Sequence, residues 1–497
     1  MTTGGEDRLS ELSDDLLRRI LYFVPSKEAA STSVLSRRWG SLWRSSGTVN
    51  LAVQVHGYQD LRYGAAYQEA FVHGAKAALD AAEAPITRLT LRVESNDHDG
   101  RRTIDQFLCR SRDCKDADVV GAVVSHQAAC RVEELRVAAV DVGDIFIYYE
   151  EENHRHAGIY GLASLPSSDT LRVLDLTRCD LTLMAVFPLP RLATLRLRYC
   201  SVYPNVVQAL LDAATELTTV QLESLFLVLP PDSQQKARLH WPHHDELDGE
   251  EPEPPVLRLS FQAATTTLVL ALCGMPRQDS GDRRRRSRGA IEIDAPRLQS
   301  FKYKGLMRRF ILRSSAAPGV ARVDLHFLRH DPDQVSDRRV LILDCLCRNW
   351  KEEKNLADIK FYRNPEIKRK FWKYRRLSTD KKNFNPDDPY RQYDSDDDNE
   401  EETTRMLFWQ FLHNFTNART LKLKVGNDIK DIAAIGKAKR ARLLCAFPGV
   451  ECLELEGVHG PKSKTAAVAI ANLLHCCPVL GEIMLKLSTA TASLDKD

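Results

Sequence analysis

The residues that could do chemistry in this 497-residue chain fall into a few short clusters. Gly457-Val458-His459-Gly460-Pro461-Lys462-Ser463 follows a strand pattern and precedes a helix pattern, the context in which a glycine-rich loop cradles phosphate. Its glycine spacing is too short. Pro461 also stands where such a loop needs a backbone N–H, which proline lacks. His243-His244-Asp245 could bind a metal in principle, but no further ligand lies at useful spacing. His475-Cys476-Cys477 ends an apolar helical stretch and reads as packing. The patterns G-x-S-x-G, H-E-x-x-H and G-x-G-x-x-G are absent. No catalytic constellation is legible, and no cofactor or metal is expected.

Basic runs are the next candidates. Arg283–Arg286 with Arg288 could be a nuclear import signal or a nucleic-acid contact. It reads more simply as a solvated loop. Phe371, Trp372 and Tyr374 lie among the lysines and arginines of 368–376 and could stack on bases or anchor the segment onto the body of the protein. The formal net charge of +2 favours neither nucleic acid nor membrane as a partner. No run of 18 or more apolar residues suggests a membrane span, and the N-terminus carries no apolar signal segment. The 12 cysteines are scattered, often in apolar runs, with no C-x-x-C pair. They suit a reducing compartment, cytoplasm or nucleus, as small buried hydrophobes. The sequon at Asn414 is then expected to stay unmodified.

The densest local pattern lies in residues 7–43. Ser13, Asp14 and Asp15 open a helix: a side-chain oxygen can cap a free N–H, and carboxylates suit the positive helix end. Leu16, Leu17, Ile20, Leu21 and Val24 repeat at helical spacing, with Arg18 and Arg19 on the other face. Pro25 interrupts this helix and Ser26 can cap the next. Ala29, Ala30, Val34 and Leu35 give the second helix a thin apolar stripe. Trp39 and Trp43, four apart, can close the core. A module this small is marginal alone, so a partner helix is expected over its leftover apolar surface.

These residues, with Leu9, Leu12, Arg37, Arg38 and Leu42, resemble the F-box, the docking module of Skp–cullin–F-box ubiquitin ligases. The likeness is closest to plant F-box proteins with leucine-rich repeats. It implies a non-catalytic subunit whose Leu12, Ser13, Leu16, Leu17, Ile20, Leu21, Val34, Leu35 and Trp39 contact a Skp-type adaptor and, through it, a cullin. One position departs from the family: Ser13 stands where a proline follows the leucine, and offers the adaptor less apolar contact. A leucine-rich-repeat scaffold whose F-box no longer binds the adaptor is the alternative.

The second pattern is L-x-x-L-x-L. It occurs at Leu171–Leu176 and Leu192–Leu197, with degenerate copies beginning at Ile86, Val132, Leu217, Val256, Leu298, Val320, Ala418, Val450 and Leu480. The closest copies recur at about 21 to 25 residues, within the range of leucine-rich repeats. Each copy is a short strand with alternating leucines inward, and stacking builds the core. Helical spacing between strands, at 68–82, 118–129, 206–214, 431–445 and 465–474, predicts an α/β solenoid. Parallel strands lie inside and helices outside, joined right-handedly. The pattern resembles the curved repeat domain that follows plant F-boxes.

The expected organisation is an F-box at 1–50, a linker and first helix at 51–85, and the solenoid at 86–350 with loops at 240–255 and 275–289. A charged insertion follows at 351–405, with much of 377–404 disordered. C-terminal repeats resembling the family's FBD region occupy 406–497. Residues between the inward leucines point to the concave face. That series is Arg136, Asp175, Thr177, Arg196, Arg198, Gln221 and Glu223, continued by Lys302, Lys304, Lys422, Lys424, Glu454 and Glu456. Basic patches from Arg196/Arg198 and from the lysines suggest a protein target with acidic segments.

Overall fold

The computed structural model describes residues 11–56, 61–96, 100–108, 119–141, 159–162, 165, 168–182, 184–228, 256–271, 273, 290–313, 320–328, 397–428, 447–459 and 464–489. Helix α1 (Asp14–Leu21) has both aspartates in its first turn. Ser13 sits extended before it but makes no side-chain cap. Helix α2 (Ser26–Ser31) starts after Pro25. Ser26 does not cap it; its hydroxyl accepts the Asn50 N–H at 2.8 Å. A 3-10 turn at Thr32–Val34 leads to α3 (Trp39–Leu42).

The chain then alternates between two layers. In chain order the strands are β1 (Thr48–Val55), β2 (Arg88–Ser95), β3 (Glu134–Asp141), β4 (Tyr160–Gly161), β5 (Val173–Thr177), β6 (Cys179–Asp180), β7 (Thr194–Arg198), β8 (Ser201–Val202), β9 (Thr219–Glu223) and β10 (Phe226–Leu227). They continue as β11 (Val256–Ser260), β12 (Thr267–Ala271), β13 (Ala290–Asp294), β14 (Ser300–Gly305), β15 (Arg309–Arg313), β16 (Arg322–Phe327), β17 (Thr420–Asp428), β18 (Cys452–His459) and β19 (Glu482–Thr489). Twelve strands form one parallel sheet in the order β1-β2-β3-β5-β7-β9-β12-β14-β16-β17-β18-β19. One inner row runs in register through Val49, Leu89, Leu135, Leu174, Leu195, Val220 and Leu268 to Phe301, Val323, Leu421 and Leu453. Every member is buried. A strand slipped by one residue would turn its leucines to water, so burial of one face holds the register.

The outer layer is helical at both ends: α4 (Leu61–Asp80), α5 (Gly100–Leu108), α6 (Val119–Val124) and α7 (Pro204–Ala213) towards the start, α8 (Asp397–His413) and α9 (Lys464–His475) towards the end. In between it is built of strands, in a ribbon β10-β8-β6-β4 and a sheet β11-β13-β15. The Val256 copy therefore lies in the outer layer, and Thr267–Ala271 supplies the inner strand. Both segments alternate apolar and polar residues, and a period of two does not reveal the layer. The chain turns from β5, β7 and β9 into the outer ribbon at Arg178, Tyr199 and Ser224, each with positive φ.

Three further differences from the sequence reading concern boundaries. Thr48–Val55 is the first strand of the sheet, although it straddles the expected F-box and linker. Helix α5 has no counterpart in the sequence reading. Helix α8 begins at Asp397, inside the stretch expected to be disordered. It is anchored by stacked aromatics: Phe411 lies 4.5 Å from Phe310, and Phe415 5.2 Å from Phe301, centroid to centroid. The Asn414 amide donates to Phe310 O at 3.1 Å and its oxygen accepts the Leu312 N–H at 2.8 Å. A glycan on that nitrogen is incompatible with these bonds. The 240–255 and 275–289 loops, the 368–376 basic segment, the 431–445 helix and His243–Asp245 lie outside the described residues.

Candidate functional site

Two surfaces carry the residues singled out by sequence. The first is the helical module at the start. Its core is Leu17, Leu21, Ala29, Trp39 and Leu42, with Leu12, Val24 and Trp43 against it, and it is separate from the solenoid core. Arg38 donates to Asp14 Oδ1 at 2.7 Å and also to Leu12 O, tying the end of the module to the start of α1. Trp43 donates its indole N–H to Ser33 Oγ at 3.1 Å.

This core divides the candidate adaptor contacts. Leu17, Leu21 and Trp39 are interior residues and cannot touch a partner while the module stays folded. Leu16 is 49% exposed, Ile20 44%, Leu35 65% and Val34 87%, and Ser13 is exposed at the head of α1. Phe23, absent from the sequence-based set, is 67% exposed. Side chains at i and i+4 share a face while i+1 lies about 100° away. Leu17 and Leu21 therefore turn inward together, and Leu16 and Ile20 turn outward. The second helix ends at Ser31, so Val34 and Leu35 leave its apolar stripe and project to solvent. Several large apolar side chains exposed on one small module are the kind of surface that marks an interaction site.

The module is fixed to the solenoid on its other side. The Asn50 amide donates to Tyr22 O at 2.9 Å and Val24 O at 3.1 Å, while its backbone N–H goes to Ser26. Arg88 lies 5.3 Å from the Tyr22 ring and 5.7 Å from the Phe23 ring, a cation–π arrangement. These contacts cover the β1 end of the sheet and leave Leu16, Ile20, Val34 and Leu35 open.

The second surface is the sheet face turned away from the outer layer. Strand register gathers the candidates into two rows. Arg136, Asp175, Arg196, Gln221, Val269, Lys302, Asp324, Lys422 and Glu454 stand side by side. The next row holds Thr177, Arg198, Glu223, Ala271, Lys304, His326, Lys424 and Glu456. Val269, Ala271, Asp324 and His326 were not singled out. Val269 and Ala271 sit on Thr267–Ala271, whose alternation marks a strand but not its layer, whereas Asp324 and His326 alternate with Val323 and Leu325 of a recognised copy and were legible.

Charge on this face is largely neutralised between neighbouring strands. Asp175, only 3% exposed at its side chain, accepts two 3.0 Å bonds from Arg198 Nη2 and lies 4.0 Å from Arg196. Lys302 pairs with Asp324 at 3.4 Å. Glu454 takes Lys486 at 2.7 Å and Lys422 at 3.0 Å, which hold its carboxyl below the usual range. Lys424 pairs with Glu456, and Arg136 with Glu134. The expected basic patches are thus interleaved with acidic partners: most lie one repeat away and meet through register, while Arg136 pairs within its own strand.

Among the described residues, the buried thiols are packing elements. Burial pushes Cys179 well above its usual range, Cys273 to about 11, Cys476 to about 12 and Cys477 to about 11. The Cys200 and Cys273 Sγ atoms reach the Leu176 and Leu222 carbonyls at 3.5 and 3.4 Å. Among the described residues no group of His, Cys, Asp and Glu is placed to hold a metal ion, and no helix is long and apolar enough to cross a membrane.

An F-box domain family model matches residues 9–49. The chain therefore carries an F-box domain at its N-terminus, followed by a parallel-sheet solenoid of leucine-rich-repeat type. Its relatives are plant F-box/FBD/LRR-repeat proteins. One, from Arabidopsis thaliana, is 62% identical over 37 residues, 7% of this chain and 9% of the relative. An FBD-associated F-box protein of the same plant is 60% identical over 38 residues, 8% of this chain and 10% of the relative. A putative F-box/FBD/LRR-repeat protein matches further, at 29% identity over 326 residues, 65% of this chain and 58% of the relative. The matches to the first two span about a tenth of those proteins' own length.

Proposed function

We propose that this chain is the substrate-recognition subunit of a Skp–cullin–F-box ubiquitin ligase, working in the cytoplasm or nucleus. A Skp-type adaptor covers Leu16, Ile20, Phe23, Val34 and Leu35. The open face of the sheet holds a target protein, through residues such as Arg136, Arg196, Gln221, Glu223, Lys302, Lys304 and Lys422. The chain supplies proximity and orientation, and the chemistry belongs to a conjugating enzyme brought by the cullin. The observation that carries this reading is the apolar stripe on the helical module, left open although the module is docked on the solenoid by its other side. The test is retention of a purified Skp-type adaptor by the full chain. No retention by the chain, with its F-box folded, refutes the ligase role.

Ser13 bears on the scaffold alternative, because it leaves the start of the stripe without the family's proline. Its backbone already has φ −65°, the value a proline ring imposes, and its side chain caps nothing. Ser13→Pro is expected to raise the melting temperature slightly, by about 0.4–1 kcal/mol of stability, and to strengthen adaptor binding. Binding that exists only in the Ser13→Pro variant would favour the scaffold reading.

A further inference from the structure

The two ends of the sheet are finished differently. At one end α2 lies against β1, held there by the bonds that Asn50 of β1 makes to Tyr22, Val24 and Ser26. At the other, β19 has a single neighbour among the described residues, β18. At the inner positions where β18 buries Leu453 and Leu455 to 1% exposure, β19 leaves Ile483 42% and Leu485 46% exposed. Val479, Met484 on the other face of the strand, and Val468 and Leu474 on α9 are exposed as well. An edge strand of this kind presents a row of free peptide groups, and proteins usually blunt such edges with prolines, bulges or inward charges. The pairing of β19 with β18 shows no bulge, and Glu482–Thr489 contains no proline.

The order of residues on this strand specifies what fits it. Glu482 donates its N–H to Glu451 O at 2.9 Å, towards β18. Alternate residues bond to opposite sides, so Ile483 and Leu485 aim their N–H and C=O groups outward. We propose that this edge is a self-association surface, on which β19 of a second copy of this chain pairs antiparallel about a two-fold axis at Met484. In that register Glu482 of each copy faces Lys486 of the other, Ile483 faces Leu485, and Met484 meets its counterpart on the axis. The Ile483–Leu485 pairs exchange hydrogen bonds through the peptide groups that β18 leaves free. A shift of one residue would instead present groups already bonded to β18. The same register sets Glu482 of one copy against Lys486 of the other, which it shares with Glu454 of its own chain, and continues the buried leucine rows from one sheet into the other. A two-fold interface requires such self-complementarity.

The assembly places the two F-boxes at opposite ends of a continuous sheet, and the inference stands independently of the ligase reading. The test is sedimentation of the full chain at micromolar concentration. The wild-type chain is expected to run as a dimer, and Glu482→Lys and Lys486→Glu each as a monomer with an unchanged circular-dichroism spectrum. An equimolar mixture of the two variants is expected to regain the dimer, because each then offers the charge the other needs. Met484→Cys on the axis should oxidise to a disulfide-linked dimer, and Ser488→Cys should not. This crosslink reads the register even if a charge variant fails to fold. A monomeric wild-type chain, a dimer indifferent to both charge reversals, or variants that fail to associate on mixing would overturn the proposal. Protection of the outward Ile483 and Leu485 amides in a monomer would show that the edge is already covered without a second copy and overturn it as well.

Discussion

Leu16 and Leu17 are neighbours in sequence, and their truncation should have opposite consequences. Leu17 is fully buried in a core of five side chains. Leu17→Ala removes a buried isobutyl group, a loss of about 2–5 kcal/mol, which a module this small cannot absorb. Leu16 is half exposed. Full burial of a leucine contributes about 2 kcal/mol, so Leu16→Ala costs the fold only about 1 kcal/mol. A partner covering the exposed half contributes about another 1 kcal/mol, roughly fivefold in Kd. Val34, almost fully exposed, contributes a similar amount, so Leu16→Ala with Val34→Ala should weaken adaptor binding about 30-fold if the two effects add. Amide exchange separates fold from function. In Leu17→Ala the amides of 14–42 should lose protection while those of the sheet keep theirs, because the two cores are distinct. In the double variant both regions should stay protected while calorimetry against the adaptor records the lost affinity. The reasoning fails if Leu16→Ala unfolds the module, or if the folded double variant binds the adaptor like wild type.

Three further outcomes follow from particular contacts. Asn50→Ala strands two carbonyls at the junction and should cost about 1–3 kcal/mol; exchange at Tyr22–Ser26 should rise with little change in the sheet, and an unaltered pattern would show that the junction does not depend on Asn50. Asp175→Asn leaves two arginines without their anion. Both are about a third exposed, so a loss of about 2–3 kcal/mol is expected in chemical denaturation, below the 3–5 of a fully buried pair. The Glu454 carboxyl is held below its ordinary 4.5 by Lys486 and Lys422, so its stabilisation is complete above that value and lost as pH falls through the lower folded pKa. The melting difference between wild type and Glu454→Gln should therefore close on the acid side, and a difference that persists there contradicts the pairing.

The amino-acid order by itself determined the two architectural units of this protein. Alternating leucines at a recurring interval demand stacked parallel strands, since no single repeat can bury its own face. The Asp14–Trp43 pattern demands a small helical module at the start. Those are local periodicities, and local periodicity survives reading in one dimension. What the sequence left open needed the third. Four apolar residues on a short helix do not say whether Leu16 or Leu17 faces inward; docking of α1 against Trp39 and Leu42 decides it. Alternation in Val256–Ser260 and Thr267–Ala271 does not say which strand joins the main sheet; the layer in which each finds neighbours decides it. The charges of Asp175, Arg198, Lys422 and Glu454 look like patches along the chain, and strand register turns them into pairs, because their partners lie a whole repeat away and only stacking brings them within bonding distance.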